Sequence, residues 1–398
     1  MHPRSSPAGV VALAAVILLG TSLATVPTPL YPLYVREAGL DAVGITATFA
    51  AFAAGALVGL AVALRASARL SRRAAYTTAA VLQGASAVVL ASDLGVAGFA
   101  TGRVITGIGA GLLAASGTAF VMELAPALSP RAGRVVRLGA PALAFAGLGL
   151  GPVIAASAAP TDLAGVRLLF VILAICILGL LVVSHLVLPA SVGSATVATT
   201  ADRRPPLPSA SGLGAFAAFM TTGLFGSVSS ILLGDLGVHD ASRTGAFAAA
   251  VFLAGAVGVV ALAPRASLPV VAGVLAVGLL AVGVSVATGS TPVLIAAAVV
   301  SGTSAGALFA RSLRAAVAAA PGRVFEQTVA VFLCAYAGLA VPVLGFGIVA
   351  HAAGTVAAVW AFAGCGAVVC VAAAVVAHAV PRADHAQAPL DTQERSLA

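Results

Sequence analysis

The chain has 398 residues, of which 61% are hydrophobic and 8% charged, whereas a soluble globular protein carries about a quarter charged residues, so water is not the main solvent of this surface. The net charge of +8 comes from twenty basic residues, all of them arginine and grouped in short clusters between apolar runs; this is a pattern of topology signals rather than a phosphate-binding face, and it excludes nucleic acid as a partner. Cys176, Cys334, Cys365 and Cys370 lie inside apolar segments with neither disulfide-framework nor metal-ligand spacing, so neither a disulfide scaffold nor a metal centre is expected.

A helix crossing ~30 Å of hydrocarbon needs about 20 mostly apolar residues and may leave no backbone amide unpaired there. In chain order, the apolar runs predict spans over 8–32, 43–64, 74–92, 96–121, 135–157 and 167–189, then over 211–234, 244–264, 268–288, 291–313, 324–350 and 353–379. The first run follows Arg4 like a signal peptide, but it continues through Pro27, Pro29 and Tyr34 and precedes many further spans, so an uncleaved first span is expected. Residues 1–189 form one six-helix bundle and 211–379 a second, joined by a polar cytoplasmic linker over 190–210 that holds Asp202, Arg203, Arg204, Pro205 and Pro206. Residues 380–398 are a polar tail expected to be disordered. With the N-terminus inside, sixteen arginines fall on cytoplasmic segments and only Arg36, Arg167 and Arg243 outside, so the positive-inside rule places both termini in the cytoplasm and the chain in the cytoplasmic membrane.

The two halves repeat. At an offset of 200, Phe52, Gly55, Arg65, Ala66 and Ser67 recur as Phe252, Gly255, Arg265, Ala266 and Ser267; at an offset of 195, Gly107, Gly111 and Pro126 recur as Gly302, Gly306 and Pro321. Six helices per half give both copies the same orientation, which implies parallel repeats about an axis along the membrane normal with a path between them.

Polar and bend-forming residues inside the spans mark that path. The first span carries Thr25, Pro27, Thr28, Pro29, Tyr31 and Tyr34, and the eleventh Tyr336, Gly338 and Pro342; prolines break the helical ladder and leave polar groups to face a cavity. Tyr31 and Tyr34 stand near the outer end, where an interfacial aromatic belt is expected, while Tyr336 is deeper and suits a cavity. Gln83 in the third span is the clear mid-span amide. No Asp or Glu lies in the middle of any predicted span, so the chain shows no obvious seat for a carboxylate proton carrier, and no cofactor is expected beyond a proton or other ion gradient.

The fourth span reads Arg103-Val-Ile-Thr-Gly107-Ile-Gly109-Ala-Gly111, which resembles the fourth-helix pattern R-x-x-x-G-x-G-x-G of the major facilitator superfamily. The fifth ends Gly147-Leu-Gly149-Leu-Gly151-Pro152-Val-Ile-Ala155-Ala156, similar to the G-P-x-x-G-G signature of that family's exporters and antiporters, with alanines at the final glycines. The loop after the second span, Leu64-Arg65-Ala66-Ser67-Ala68-Arg69-Leu70-Ser71-Arg72-Arg73, resembles G-x-L-x-D-R-x-G-R-R with Ala68 at the aspartate. Glu123 with Arg131 and Arg134 resembles the acidic-then-basic turn after the fourth span. The resemblance covers essentially the whole chain. It implies an all-α, twelve-helix fold in two parallel six-helix repeats, working as a monomer in the lipid bilayer on a small-molecule substrate, and a secondary active transporter that exports a hydrophobic or amphipathic compound by antiport. Uptake of a small organic solute or anion is the alternative, followed by a non-transporting sensor or a membrane-embedded enzyme; for the last, no H-E-x-x-H is present and the histidines are scattered. The expected substrate-path residues are Arg103, Thr28, Gln83, Gly151, Pro152, Tyr336 and Pro342. The gating residues are Arg69, Arg72, Arg73, Glu123, Arg131, Arg134 and Glu326, with Glu326 supplying the charge missing at Ala68 by pairing with a loop arginine, Arg69 first.

Overall fold

A computed structural model describes residues 7–39, 42–66, 71–92, 95–125, 128–188, 210–238, 240–320 and 323–379, and nearly all of these are helical. The linker over 190–209, the tail, Ala68 and Arg69 lie outside the described residues, as does the side chain of Glu123. The helices are α1 Pro7–Ser22, α2 Tyr31–Ala38, α3 Ala42–Ala66, α4 Arg72–Ala91, α5 Gly95–Leu124, α6 Pro130–Ala158 and α7 Leu163–Val187 in the first half. The second half holds α8 Ala210–Ser227, α9 Ser229–Asp235, α10 Ala241–Val257, α11 Leu268–Thr288, α12 Thr291–Ala319, α13 Val324–Ala353 and α14 Thr355–Ala379. Ten of these are long and apolar enough to cross a membrane alone, and α8 with α9 make one more span bent by 59°. The shorter α1, continued by α2, is the twelfth.

Polar side chains set where the spans begin. Ser71, Ser129, Asp162 and Asp240 each accept a backbone N–H in the first turn of α4, α6, α7 and α10, satisfying donors that a helix start leaves open. Gly39 and Gly289 end α2 and α11 with φ of 68° and 67°, a left-handed conformation that glycine adopts without a Cβ penalty. Two predicted ends shift, the first because of such a cap. Ser129 and Pro130 start α6 ahead of position 135, so Arg131 and Arg134 stand in its first two turns, and α12 runs on to Ala319 rather than 313. The spans differ in length: α4 has 20 residues and α11 has 21, against 30 in α5, 29 in α6, 29 in α12 and 30 in α13.

The first span of each half is broken. Between α1 and α2 the chain passes through a turn over residues 23–27 and a 3-10 turn Thr28–Leu30, because Pro27, Pro29 and Pro32 withhold three donors from the helical ladder. The seventh span breaks at Val228, and the eighth closes on a π-helical turn, Gly258–Leu262. Within each half, glycines bring the second helix onto the fourth: a Cβ at Gly107 or Gly111 would collide with the carbonyl oxygen of Phe52 or Ala56, and one at Gly302 or Gly306 with that of Val251 or Gly255. The internal repeat is therefore a repeat of packing. The halves meet along two seams, α6 against α10 and α3 against α13.

Candidate substrate path

Between the two seams, the core is aromatic. Phe219 of α8 packs with Phe145 of α6, Phe309 of α12, and Phe332 and Tyr336 of α13, at ring-centroid separations of 5.1–6.1 Å. Tyr336 also meets Phe52 of α3 edge-on at 6.3 Å. This cluster leaves a small cavity of about 10 Å³ lined by Thr21, Ala24, Ala110, Ala114, Ala144, Leu148, Phe219, Phe332 and Tyr336, about what a single water requires. Both halves contribute and no ionised side chain does. On the face away from the arginine clusters, a cleft of about 680 Å³ opens between Ala47 of α3, Ile231 of α9 and the stretch of α13 from Leu344 to Ala352. Pro342 stands on α13 between Tyr336 and Leu344, that is, between cavity and cleft.

The break in the first span is tied off by side chains. Pro152 has no N–H to offer the carbonyl of Leu148 four residues before it, and Thr25 donates its hydroxyl to that oxygen at 2.7 Å. The carbonyl of Ala24 loses Pro27 as a donor, the N–H of Thr28 going instead to Thr25 O; Arg103 Nη1 fills the place at 2.9 Å. Thr28 donates to Gly226 O, next to the break in the seventh span, at 2.6 Å, which joins the two halves directly. Gly151 lets α6 approach this region, since a Cβ there would collide with Ser22 O and Thr25 Oγ1. We expect Thr25→Val, which keeps the shape and leaves Leu148 O buried without a donor, to destabilise the folded protein by about 1–3 kcal/mol, with Thr25→Ser near wild type; equal thermal unfolding midpoints for the two variants would show that the carbonyl finds another donor.

Arg103 is completely buried, with its guanidinium carbon 4.7 Å from the centroid of the Phe52 ring and 6.0 Å from that of Phe49, so it does not reach out to the membrane surface. Tyr31 and Tyr34, expected in an interfacial belt, are 1% and 7% exposed. The turn after the break folds them inward, where Tyr34 packs on Phe99 at 4.4 Å. Gln83 is buried between α4 and α5, donates to Thr106 O at 3.3 Å, and is not among the cavity-lining residues.

The arginine-rich face has its own arrangement. Glu326 lies in the first turn of α13, as expected, but is buried, with Oε2 unpartnered. Arg72, at the start of α4, is within electrostatic reach of it across the seam. Arg73 instead donates to His185 O at 3.2 Å and Leu188 O at 3.3 Å, closing the carbonyl end of α7 in its own half. Arg131 and Arg134 are exposed. The sequence did not single out Phe219, Phe332 or Thr21, and marked Phe52 only as part of the internal repeat. Phe219 and Phe332 sit on helices that are apolar all round, where no periodicity marks an inward face.

Residues 20–192 match the family described as Sugar (and other) transporter. Among solved structures, the human organic anion transporter MFSD10 (TETRAN) is 19% identical, with 92% of this chain and 100% of that chain covered at a TM-score of 0.68. A bacterial homolog of the human lysosomal transporter Spinster, in an inward-facing and unoccupied conformation, is 15% identical, with coverage of 94% and 93% and a TM-score of 0.66. The nucleoside transporter NupG is 12% identical, with coverage of 92% and 99% and a TM-score of 0.68. No curated protein sequence matches the chain.

Proposed function

We propose that the chain is a transporter of the major facilitator superfamily that exports a hydrophobic or amphipathic compound by alternating access, exchanging it for a proton or another ion; the family match over residues 20–192 and the shared fold support this reading. The observation that carries this reading is the lining of the central cavity: alanines, a leucine, two phenylalanines, Tyr336 and Thr21, with no ionised group. An apolar wall of this kind suits an apolar body. A sugar needs paired donors and acceptors, and of the lining side chains only those of Thr21 and Tyr336 carry any. The cleft on the arginine-poor face is equally apolar and provides a place of release. The proteins of similar structure are described as carrying organic anions or nucleosides, so the fold does not choose among solutes.

The arginine asymmetry supports placing the arginine-rich face and both termini in the cytoplasm. Glu326 with Arg72 then belongs to the cytoplasmic gate, holding the first and second halves together at the α3–α13 seam, and Arg131 and Arg134 stand beside the path as surface charges. The electrostatic attraction between Glu326 and Arg72 would favour the state in which this face is closed, biasing two states of similar energy.

Dye accumulation in cells tests the export reading. Cells expressing the protein should retain less of a lipophilic fluorescent dye than control cells, and Phe332→Asp, which places a carboxylate in the cavity, should restore retention while the protein remains in the membrane. Retention equal to or above the control across a panel of lipophilic dyes would reject export.

A further inference from the structure

The guanidinium of Arg103 is where charge and geometry within the spans do not balance. It is wholly buried, its Nη1 donates to Ala24 O, and among the described residues Nε and Nη2 meet no acceptor. The hydroxyl of Tyr31, on the short helix after the break, is also buried and has no partner at full hydrogen-bond geometry. Thr48 stands beside it, but its own proton goes to Ile45 O at 2.8 Å. The titratable groups acting on Arg103 are Tyr31 and Tyr34, with no described carboxylate among them. The ring faces of Phe52 and Phe49 offset only part of the cost of holding a full charge away from water. Buried polar groups in folded proteins are almost all paired, and an unpaired buried charge is the most costly exception.

We propose that Arg103 Nε and Nη2, together with Tyr31 Oη, hold an anion behind the ring of Phe52. One negatively charged acceptor would use all three donors and compensate the charge, through charge-assisted hydrogen bonds. The anion is a small inorganic ion or the acidic group of a transported compound; the second source rests on the export reading above, and the first does not. Access follows from the neighbours. Phe52 touches Arg103 on one side and Tyr336 of the cavity on the other, and Ala24, whose carbonyl Arg103 holds, lines the same cavity. Phe52 and Tyr336 belong to opposite halves, so the parting of α3 and α13 frees the ring and opens Arg103 to the path. In the closed arrangement the anion is shut in.

Thermal unfolding of the purified full-length protein, followed by the fluorescence of its single tryptophan, Trp360, tests this at constant ionic strength, with gluconate replaced by chloride, and separately with benzoate against benzyl alcohol. A ligand that binds only the folded state raises the midpoint progressively with its concentration. A rise with chloride identifies a free small ion; a rise with benzoate but with neither chloride nor benzyl alcohol identifies the acidic group of a solute. Tyr31→Phe, which removes one donor and little else, should weaken the apparent affinity about tenfold, and Arg103→Gln should abolish the shift. Midpoints indifferent to both chloride and benzoate, or shifts that persist unchanged in Tyr31→Phe and Arg103→Gln, would overturn the assignment. The readout needs no flux, so a negative export assay does not bear on it.

Discussion

Gly107→Val should remove most of the folded protein from detergent extracts, whereas Gly179→Val should leave its yield and unfolding midpoint close to wild type. The two glycines sit in neighbouring parts of the same half and differ in what surrounds them. A Cβ at Gly107 would collide with Phe52 O and crowd the N–H of Ala56, while one at Gly179 meets nothing within 4 Å. A side chain can rotate away from an intruding methyl group, but a backbone carbonyl in a helix cannot without parting α3 from α5. In lipid that parting is not opposed by a hydrophobic force, because helices associate there through close packing of small residues. Overpacking a core costs about 1–3 kcal/mol when side chains can adjust, and Gly107→Val should lie at or beyond the upper end of that range. Gly306→Val should behave like Gly107→Val, since Gly306 faces the carbonyl of Gly255 in the second half. Size-exclusion profiles and thermal unfolding of the three variants decide the matter. Equal behaviour at positions 107 and 179 would mean that the crossing relaxes and that glycine is not what fixes it.

Joining the halves on the arginine-poor face should stop transport completely and reversibly. A Cβ at Gly245, near the start of α10, would stand 2.9 Å from that of Ala156 in α6, within about 1 Å of the separation in a disulfide. In a background with the native cysteines replaced, Ala156→Cys with Gly245→Cys should cross-link on mild oxidation, bring flux to the background level, and regain it on reduction. Each single variant should be insensitive to oxidant. Alternating access requires the α6–α10 seam to open on this face. Full flux through a quantitatively cross-linked protein would place the moving interface elsewhere, at the α3–α13 seam alone.

The spans were legible because their cause is local: about 20 apolar residues are needed to cross the membrane, and arginines mark one side. The break in the first span was legible in Pro27 and Pro29. The break at Val228 was not, because no proline stands at it; the 59° bend between α8 and α9 shows it only in three dimensions. The tyrosines show the limit of reading depth from sequence. Tyr31 and Tyr34 lie at belt distance along an unbroken helix, yet once the helix breaks, the same residues turn inward. The first-turn position of Glu326 followed from its spacing after Pro321; Arg72 lies within electrostatic reach of it, and Arg69 is outside the described residues. The partners of Thr25 and Arg103 were illegible for a different reason. A proline tells which carbonyl it abandons, four residues before it, but the donor that replaces the lost N–H comes from another helix, and nothing in the sequence spacing selects it.

The unequal helix lengths bear on the membrane itself. The lipid-facing helices α4 and α11, with 20 and 21 residues, are about 30 Å long at ~1.5 Å per residue, whereas α5 and α13, with 30 each, reach about 45 Å. The short pair sets the hydrophobic thickness the protein matches, and the long helices extend beyond the hydrocarbon. Trp360 is the single tryptophan, and Tyr31, Tyr34, Tyr76 and Tyr336 are all buried, so no tyrosine is left at the surface to fix depth at the two interfaces. Vertical position is held by hydrophobic matching and by arginine. A bilayer thicker or thinner than about 30 Å therefore acts first on α4 and α11, at a cost of fractions of a kcal/mol per Å of mismatch, and the acyl-chain length of the host lipid becomes a determinant of where this protein resides and how readily its halves tilt.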